Sequence, residues 1–193
     1  HFSQTLGWKQ VPGTEDRIDS IWEEVILKQI HPDDLHEKYF QELRFFHFMR
    51  RQPKMKRADF YLASKLRMKD GVGNYQFVLH RLFYVSSPVA NGLWLALCVY
   101  TPWFPMFAGK SVVVNSVTGE GMELGRRDDS QILSYRETQI LRLIAKGMMS
   151  KDIAILLSIS IHTVSRHRQE ILRKLQVKSS IEACRVAKEL GIM

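Results

Sequence analysis

Ser160-Ile161-His162-Thr163-Val164-Ser165-Arg166-His167-Arg168-Gln169-Glu170-Ile171-Leu172-Arg173-Lys174-Leu175 decides how the rest of the chain is read. At helical period, Ile161, Val164, Ile171, Leu172 and Leu175 fall near one face. His162, Ser165, Arg166, Arg168, Gln169 and Arg173 fall mostly on the other. Ser160 precedes the run as an N-cap. The stretch therefore predicts an amphipathic helix whose polar face is rich in hydrogen-bond donors and nearly free of carboxylates. A solvated basic face and a face that enters the major groove of DNA both fit that description. The flanking sequence has to separate them.

Working outward, the segments on either side carry clear helix punctuation. Ser134 and Glu137 stand at capping-box spacing ahead of a helix over 135–146, which Gly147 closes. Ser150 is placed to cap a helix over 151–157, and 158–160 form a tight turn into the opening stretch. Ser179 and Glu182 repeat the capping-box spacing for a last helix ending at Gly191. Two short helices joined by about three residues, the second basic, make a helix-turn-helix. From residue 130 to the end there are eleven Lys/Arg against five Asp/Glu, which is most of the chain's net charge of +8. Such a basic segment fits a polyanion partner, because neutralising phosphates releases condensed counterions.

The agreement extends to a family. Leu133, Ser134, Arg136, Glu137, Ile140, Leu141, Ala145, Gly147, Ser150, Ile153, Ala154, Leu157, Ile159, Ser160, Thr163, Val164, His167, Ile171, Lys174, Leu175, Val177, Ala183, Ala187 and Gly191 follow a pattern at fixed spacing. That pattern resembles the LuxR/FixJ-type DNA-binding domain. The resemblance implies that the residues after Thr163-Val164 enter the major groove: Ser165, Arg166 and, one turn on, Gln169. An Arg pairs bidentately with guanine and a Gln with adenine. Family members often carry Lys where Ser165 stands, so base preference does not transfer. Lys151, His162, Thr163, His167, Lys174 and Lys178 are then expected at backbone phosphates. The resemblance also implies a dimer contact on the last helix, at Cys184, Arg185 and Lys188, and hence two half-sites in the operator.

The first half of the chain reads differently. Ile18, Ile21, Trp22, Val25 and Ile26 predict a helix over 16–29. His31-Pro32-Asp33-Asp34 breaks the chain, and Asp34 with Glu37 has capping-box spacing for a helix running to about Arg51, ended by Pro53. From Ala58 the period changes to two. Strands are expected over 59–68, 75–86 and 92–103, with a turn at 69–73. Helices followed by a meander make an α+β arrangement. His31-Pro32-Asp33-Asp34, Arg67-Met68-Lys69-Asp70-Gly71 with Gly73-Asn74-Tyr75, and the strand from Trp94 to Tyr100 resemble a PAS-type sensor domain. That resemblance implies two further strands ahead of the helices, which do not appear before Asp16.

The expected organisation is thus a PAS-like sensor or dimerisation domain over 1–104, a connector with a β-hairpin over 105–129, and an all-α, four-helix LuxR-type domain over 130–193. Residues 126–129 are read as a charged linker. At 193 residues, 45% hydrophobic and 25% charged, the chain has the composition of a soluble protein. It shows no signal peptide or membrane span, and a cytoplasmic setting is expected. Cys98 and Cys184 do not make a disulfide framework. No His falls at metal-ligand spacing, so neither a metal site nor a cofactor is expected, and no Walker, GxSxG or GxGxxG motif suggests an enzyme. The reading is a sequence-specific transcriptional regulator, dimeric on double-stranded DNA, with RNA polymerase as a further candidate partner and no membrane role. Two alternatives stay open: a sigma-factor-like promoter reader, and a signalling or interaction module whose DNA domain is vestigial.

Overall fold

The computed structural model describes residues 24–86, 93–105 and 107–193. The chain divides into two compact units, with the break between Glu123 and Leu124. Most of the helix expected over 16–29 lies outside the described residues. Its end is a single turn, α1 (Glu24–Leu27).

In the first unit, α2 (Pro32–Arg51) leads through a 3-10 segment, Lys54–Asp59, into five antiparallel strands: β1 (Phe60–Lys69), β2 (Tyr75–Ser86), β3 (Leu93–Pro102), β4 (Ser111–Asn115) and β5 (Gly121–Met122). The sheet order is β3-β2-β1-β4-β5. Strand alternation puts Leu62, Leu66 and Met68 of β1 and Val78, His80 and Leu82 of β2 on one face, all buried. Phe45 of α2 stacks on Tyr84 of β2 and Phe48 meets Phe60 edge-on, so α2 packs on this sheet. The opposite face buries Ala63, Leu79 and Val112, flanked by Tyr61, Trp103, Phe107 and Val114.

Two expectations change here. Residues 105–129 are not a separate connector. The hairpin at 111–114 and 121–124 exists in shortened form as β4 and β5, but β4 pairs with β1 along its first half and so belongs to the sheet. Asp34 does not act in a capping box. His31 is the N-cap of α2, its Nδ1 accepting from the Asp33 amide at 3.3 Å. Asp34 instead reaches 33 residues along the chain. Its Oδ2 accepts from the Arg67 amide and Nε, each at 2.8 Å, and its Oδ1 from the guanidinium at 2.7 Å. Burial would raise this carboxyl, but the bonds from Arg67 outweigh it and hold the group below the usual carboxylate range. The His31 amide donates to the Arg67 carbonyl and the Lys69 amide to the Gln29 carbonyl, so the entry to α2 is pinned on β1.

In the second unit, the expected charged linker is a helical turn, α3 (Arg126–Asp129). Four helices follow: α4 (Tyr135–Ala145), α5 (Ser150–Leu156), α6 (Ile161–Leu175) and α7 (Ser180–Glu189). Ile140, Leu141, Ile153, Val164, Ile171, Leu175, Ala183 and Ala187 form their shared core. Each junction is a left-handed residue that lets the chain close a Schellman turn. Gly147 (φ 82°) follows α4, Ser158 (φ 51°) follows α5 and Gln176 (φ 54°) follows α6. In all three the next amide bonds back to a carbonyl five residues earlier: Met148 to Leu143, Ile159 to Ala154 and Val177 to Leu172.

Left-handed backbone costs a non-glycine residue about 1–2 kcal/mol. A Cβ at Gly147 would meet nothing within 4 Å. Gly147→Ala should therefore destabilise the second unit by about 1–2 kcal/mol through backbone strain alone, and Ser158→Gly should stabilise it by up to about 1 kcal/mol. Denaturant unfolding followed by helical circular dichroism checks both. Equal midpoints for the two variants and the parent would contradict this account of the turns.

Candidate nucleic-acid interface

Helix α6 begins as its sequence predicts. Ser160 is the N-cap, its Oγ accepting from the Thr163 amide at 3.0 Å and sharing a hydrogen bond with Thr163 Oγ1 at 2.9 Å. Val164, Ile171 and Leu175 are buried. At 3.6 residues per turn, His162, Arg166, Gln169 and Arg173 then lie within about 60° of one another on the opposite face. All four are exposed. Ser165 is half-buried at the flank of this group. The expected reading trio of Ser165, Arg166 and Gln169 is therefore brought together on one accessible edge, with the two long donors outermost.

The basic residues of the unit divide into two sets. Arg136, Arg168 and Lys174 are turned onto the protein itself. Lys174 Nζ lies 2.7 Å from Oε2 of Glu137, which is 5% exposed. The same carboxylate oxygen accepts from the Ser134 amide at 2.7 Å, completing the capping box of α4. Burial alone would raise the Glu137 carboxyl. The Lys174 ammonium and the Ser134 amide outweigh that and hold it below the usual range. The expectation that Lys174 faces phosphate thus does not match its position, because its ammonium ties α6 to α4.

Arg168 bonds Ser150 Oγ at 2.6 Å and Ser180 Oγ at 3.0 Å, joining the first residues of α5 and α7 to the middle of α6. Ser150 is accordingly not the cap of α5, as its spacing suggested. Met149 occupies that position without a side-chain bond, and the serine hydroxyl serves Arg168. Arg136 donates to the Leu157 carbonyl at 3.0 Å and to Gln139 at 2.7 Å, closing the C-terminal end of α5.

The second set stays outward. Lys151, His162, Arg166 and Lys178 are exposed, and Thr163 and His167 are half-buried. Arg173 is held by Glu170 at 2.6 Å in a surface pair. On α7 the expected trio separates. Arg185 and Lys188 are exposed, Arg185 bonding Glu189 at 3.2 Å. Cys184 turns inward instead, with Sγ 4.0 Å from the Leu141 carbonyl and its thiol pushed up by burial. Ile181, 85% exposed, shares the outer stripe with Arg185 and Lys188, one and two turns away. It was legible as an apolar residue off the core period.

Removing the Lys174 ammonium leaves the Glu137 carboxylate buried without its cation. Lys174→Ala should cost about 2–3 kcal/mol, less than a fully buried pair because Lys174 keeps part of its surface in water. The pH sign follows from the lowered carboxyl. Its contribution is present above the unfolded-state value of about 4.3 and is lost as pH falls through the lower folded value. Acid unfolding of the parent should therefore be steeper than that of Glu137→Gln, measured by circular dichroism across acid pH.

Residues 131–187 match the family model described as "Bacterial regulatory proteins, luxR family". Among similar proteins, the uncharacterized response regulatory protein YgeK of Escherichia coli K12 is 45% identical over 60 residues, 31% of this chain and 41% of that protein. The oxygen regulatory protein NreC of Staphylococcus haemolyticus is 47% identical over 60 residues, 31% of this chain and 28% of that protein. The chain thus spans less than half the length of these relatives. A solved structure of the Vibrio cholerae VqmA dimer covers 69% of this chain and 56% of its own at 14% identity, with a TM-score of 0.30, an overlap too loose to bear on the fold. The match to the luxR-family model lies wholly within the second unit.

Proposed function

We propose that the protein is a sequence-specific DNA-binding transcriptional regulator that acts as a dimer on two half-sites. The observation that carries this reading is the sorting of basic side chains. Arg136, Arg168 and Lys174 are used up inside the fold, while Arg166 and Gln169 remain at the exposed centre of α6. A merely solvated basic face gives no reason for that division. In the proposed complex Arg166 and Gln169 reach base edges in the major groove, and Ser165 makes a short-range contact beside them. Lys151, His162, Thr163, His167 and Lys178 set the register on phosphates. Lys174 is withdrawn from that set.

The dimer contact is assigned to Ile181, Arg185 and Lys188 on α7, and Cys184 is withdrawn from it. Ile181 supplies the apolar area that a contact made of charges alone lacks. The first unit is assigned a PAS-like sensory or dimerising role. Support comes from the 69–74 hairpin joining β1 and β2, and from His31-Pro32 opening α2 with Asp34 clasping Arg67. The two additional strands implied by that family would fall before residue 24, outside the described residues. No helix among the described residues is long and apolar enough to cross a membrane. RNA polymerase as a partner and a cytoplasmic location complete the proposal.

Two measurements test it. Affinity for random duplex should fall steeply with salt, with a log–log slope of about −0.9 per phosphate neutralised, and Lys151→Ala should reduce that slope by about one contact. Selection of bound sites from a random pool should recover two related half-sites. Arg166→Ala should relax one position in each at a cost of about 1–3 kcal/mol. Absence of duplex binding at low salt would remove the regulator reading, and an unchanged site logo would remove Arg166 from the reading edge.

A further inference from the structure

We propose that Glu42, His80 and Cys98 form a binding site for one divalent transition-metal ion of the Zn²⁺ type, inside the first unit. Each residue comes from a different element: Glu42 from α2, His80 from β2 and Cys98 from β3. Their ligand atoms all lie within 4.8 Å of one another. The register explains the meeting. His80 is opposite Tyr100, and Leu82 is opposite Cys98, so His80 and Cys98 are diagonal neighbours on the face that α2 covers.

The state of His80 points to a ligand. It is completely buried, and neither ring nitrogen has a hydrogen-bond partner among the described residues. An unsatisfied buried imidazole carries a desolvation penalty with nothing to offset it. Tyr100 packs against the ring at 4.8 Å between centroids but offers it no hydrogen bond. Nε2 lies 3.7 Å from Glu42 Oε1, too far for a hydrogen bond and close to the spacing of two donors on one ion. Burial, and then the Lys38 charge, hold His80 well below its ordinary value, so the ring is neutral, as a ligand must be.

The donor set is borderline in softness, with one thiol, one imidazole and one carboxylate, which suits Zn²⁺ or Co²⁺ rather than Mg²⁺ or Ca²⁺. Tetrahedral Zn²⁺ places such donors about 3.3–3.6 Å apart, so the widest separation in the present cluster has to close by up to about 1.5 Å. Lys38 Nζ lies 2.7 Å from Glu42 Oε1. A bound ion therefore has to share that carboxylate with an ammonium. Glu42 and the thiolate formed as Cys98 loses its proton to solvent would offset most of the charge, leaving the group of Lys38, ion, Glu42 and Cys98 one positive charge in excess. Cys98 and Glu42 are only partly buried as residues, while Glu42 Oε1 and both His80 nitrogens are enclosed. Three protein ligands leave one position open, the donor count of an exchangeable site rather than a closed structural one.

The test uses the reduced, chelator-stripped full chain. Co²⁺ should bind at one equivalent with a thiolate-to-cobalt charge-transfer band, and Zn²⁺ should displace it and raise the thermal midpoint. Cys98→Ser should abolish the band, whereas Cys184→Ser should keep it. His80→Gln should weaken Zn²⁺ by more than about 100-fold, beyond the 10–100-fold effect of losing an outer partner. Lys38→Met should bind at least as tightly as the parent. No thiolate band in the parent protein, a band that survives Cys98→Ser, or a band lost with Cys184→Ser would each overturn the site. The parent and Cys184→Ser results decide even where a core variant fails to fold. DNA binding enters none of these readouts, so the site stands or falls separately from the regulator reading.

Discussion

The second unit depends on one buried carboxylate. Glu137 sits in the first turn of α4, where two orphan amides and the positive end of the helix favour a negative charge. It closes the capping box with Ser134 and takes the ammonium of Lys174 from the far end of α6. A capping glutamate is ordinarily a local device worth about a kilocalorie. Here it also fixes the end of a helix that starts 24 residues later in the chain. Arg168 does the same for the middle of α6 by gripping Ser150 and Ser180. The long helix is thus held at two points along its length, in addition to its apolar stripe.

That holding matters for what the helix can present. A reading edge discriminates bases only if its donors arrive at fixed positions, since a displacement of a few tenths of an ångström weakens a bidentate pair. Charges used inside the unit fix α6, and charges left outside it are those the proposed function assigns to reading. The three Schellman turns supply the remaining constraint, setting the angles at which α5, α6 and α7 leave one another. Two of them use Ser158 and Gln176 where glycine would be cheaper. The strain at Ser158 lies within the helix-turn-helix itself, between α5 and α6.

What was legible in the residues, and what was not, follows from the range of each interaction. Signals contained within one turn or one strand were readable. Ser160 as a cap, Gly147 as a C′ residue and the strand over 75–86 all rest on local spacing. The exposed edge of Arg166 and Gln169 followed from period alone. The misses are residues whose partners are distant in sequence. Asp34 and Ser150 stand where caps stand, and nothing local reveals Arg67 or Arg168 as the stronger claim on them. Lys174 looks like a phosphate ligand until Glu137 is folded against it. Cys184 sits at a helical angle on the margin between core and solvent, where spacing does not decide. The β4–β5 hairpin was visible as a hairpin, but its pairing with β1 was not, because register between separated strands is set by the whole sheet.

The same argument applies with more force inside the first unit. Helix α2 buries Asp34, Lys38, Gln41 and His47 among its apolar residues, an unusual load of polar side chains for one helix. Such groups survive folding only where each finds a partner or a function. Asp34 has Arg67, and Lys38 has Glu42. His80, facing them from the sheet, is fully buried and finds no hydrogen-bond partner among the described residues. A hydrophobic residue of similar volume would fill that place without the penalty. The persistence of an imidazole there, diagonal to a thiol and opposite a carboxylate, is what a core would contain if its interior were built to take up an ion rather than only to pack.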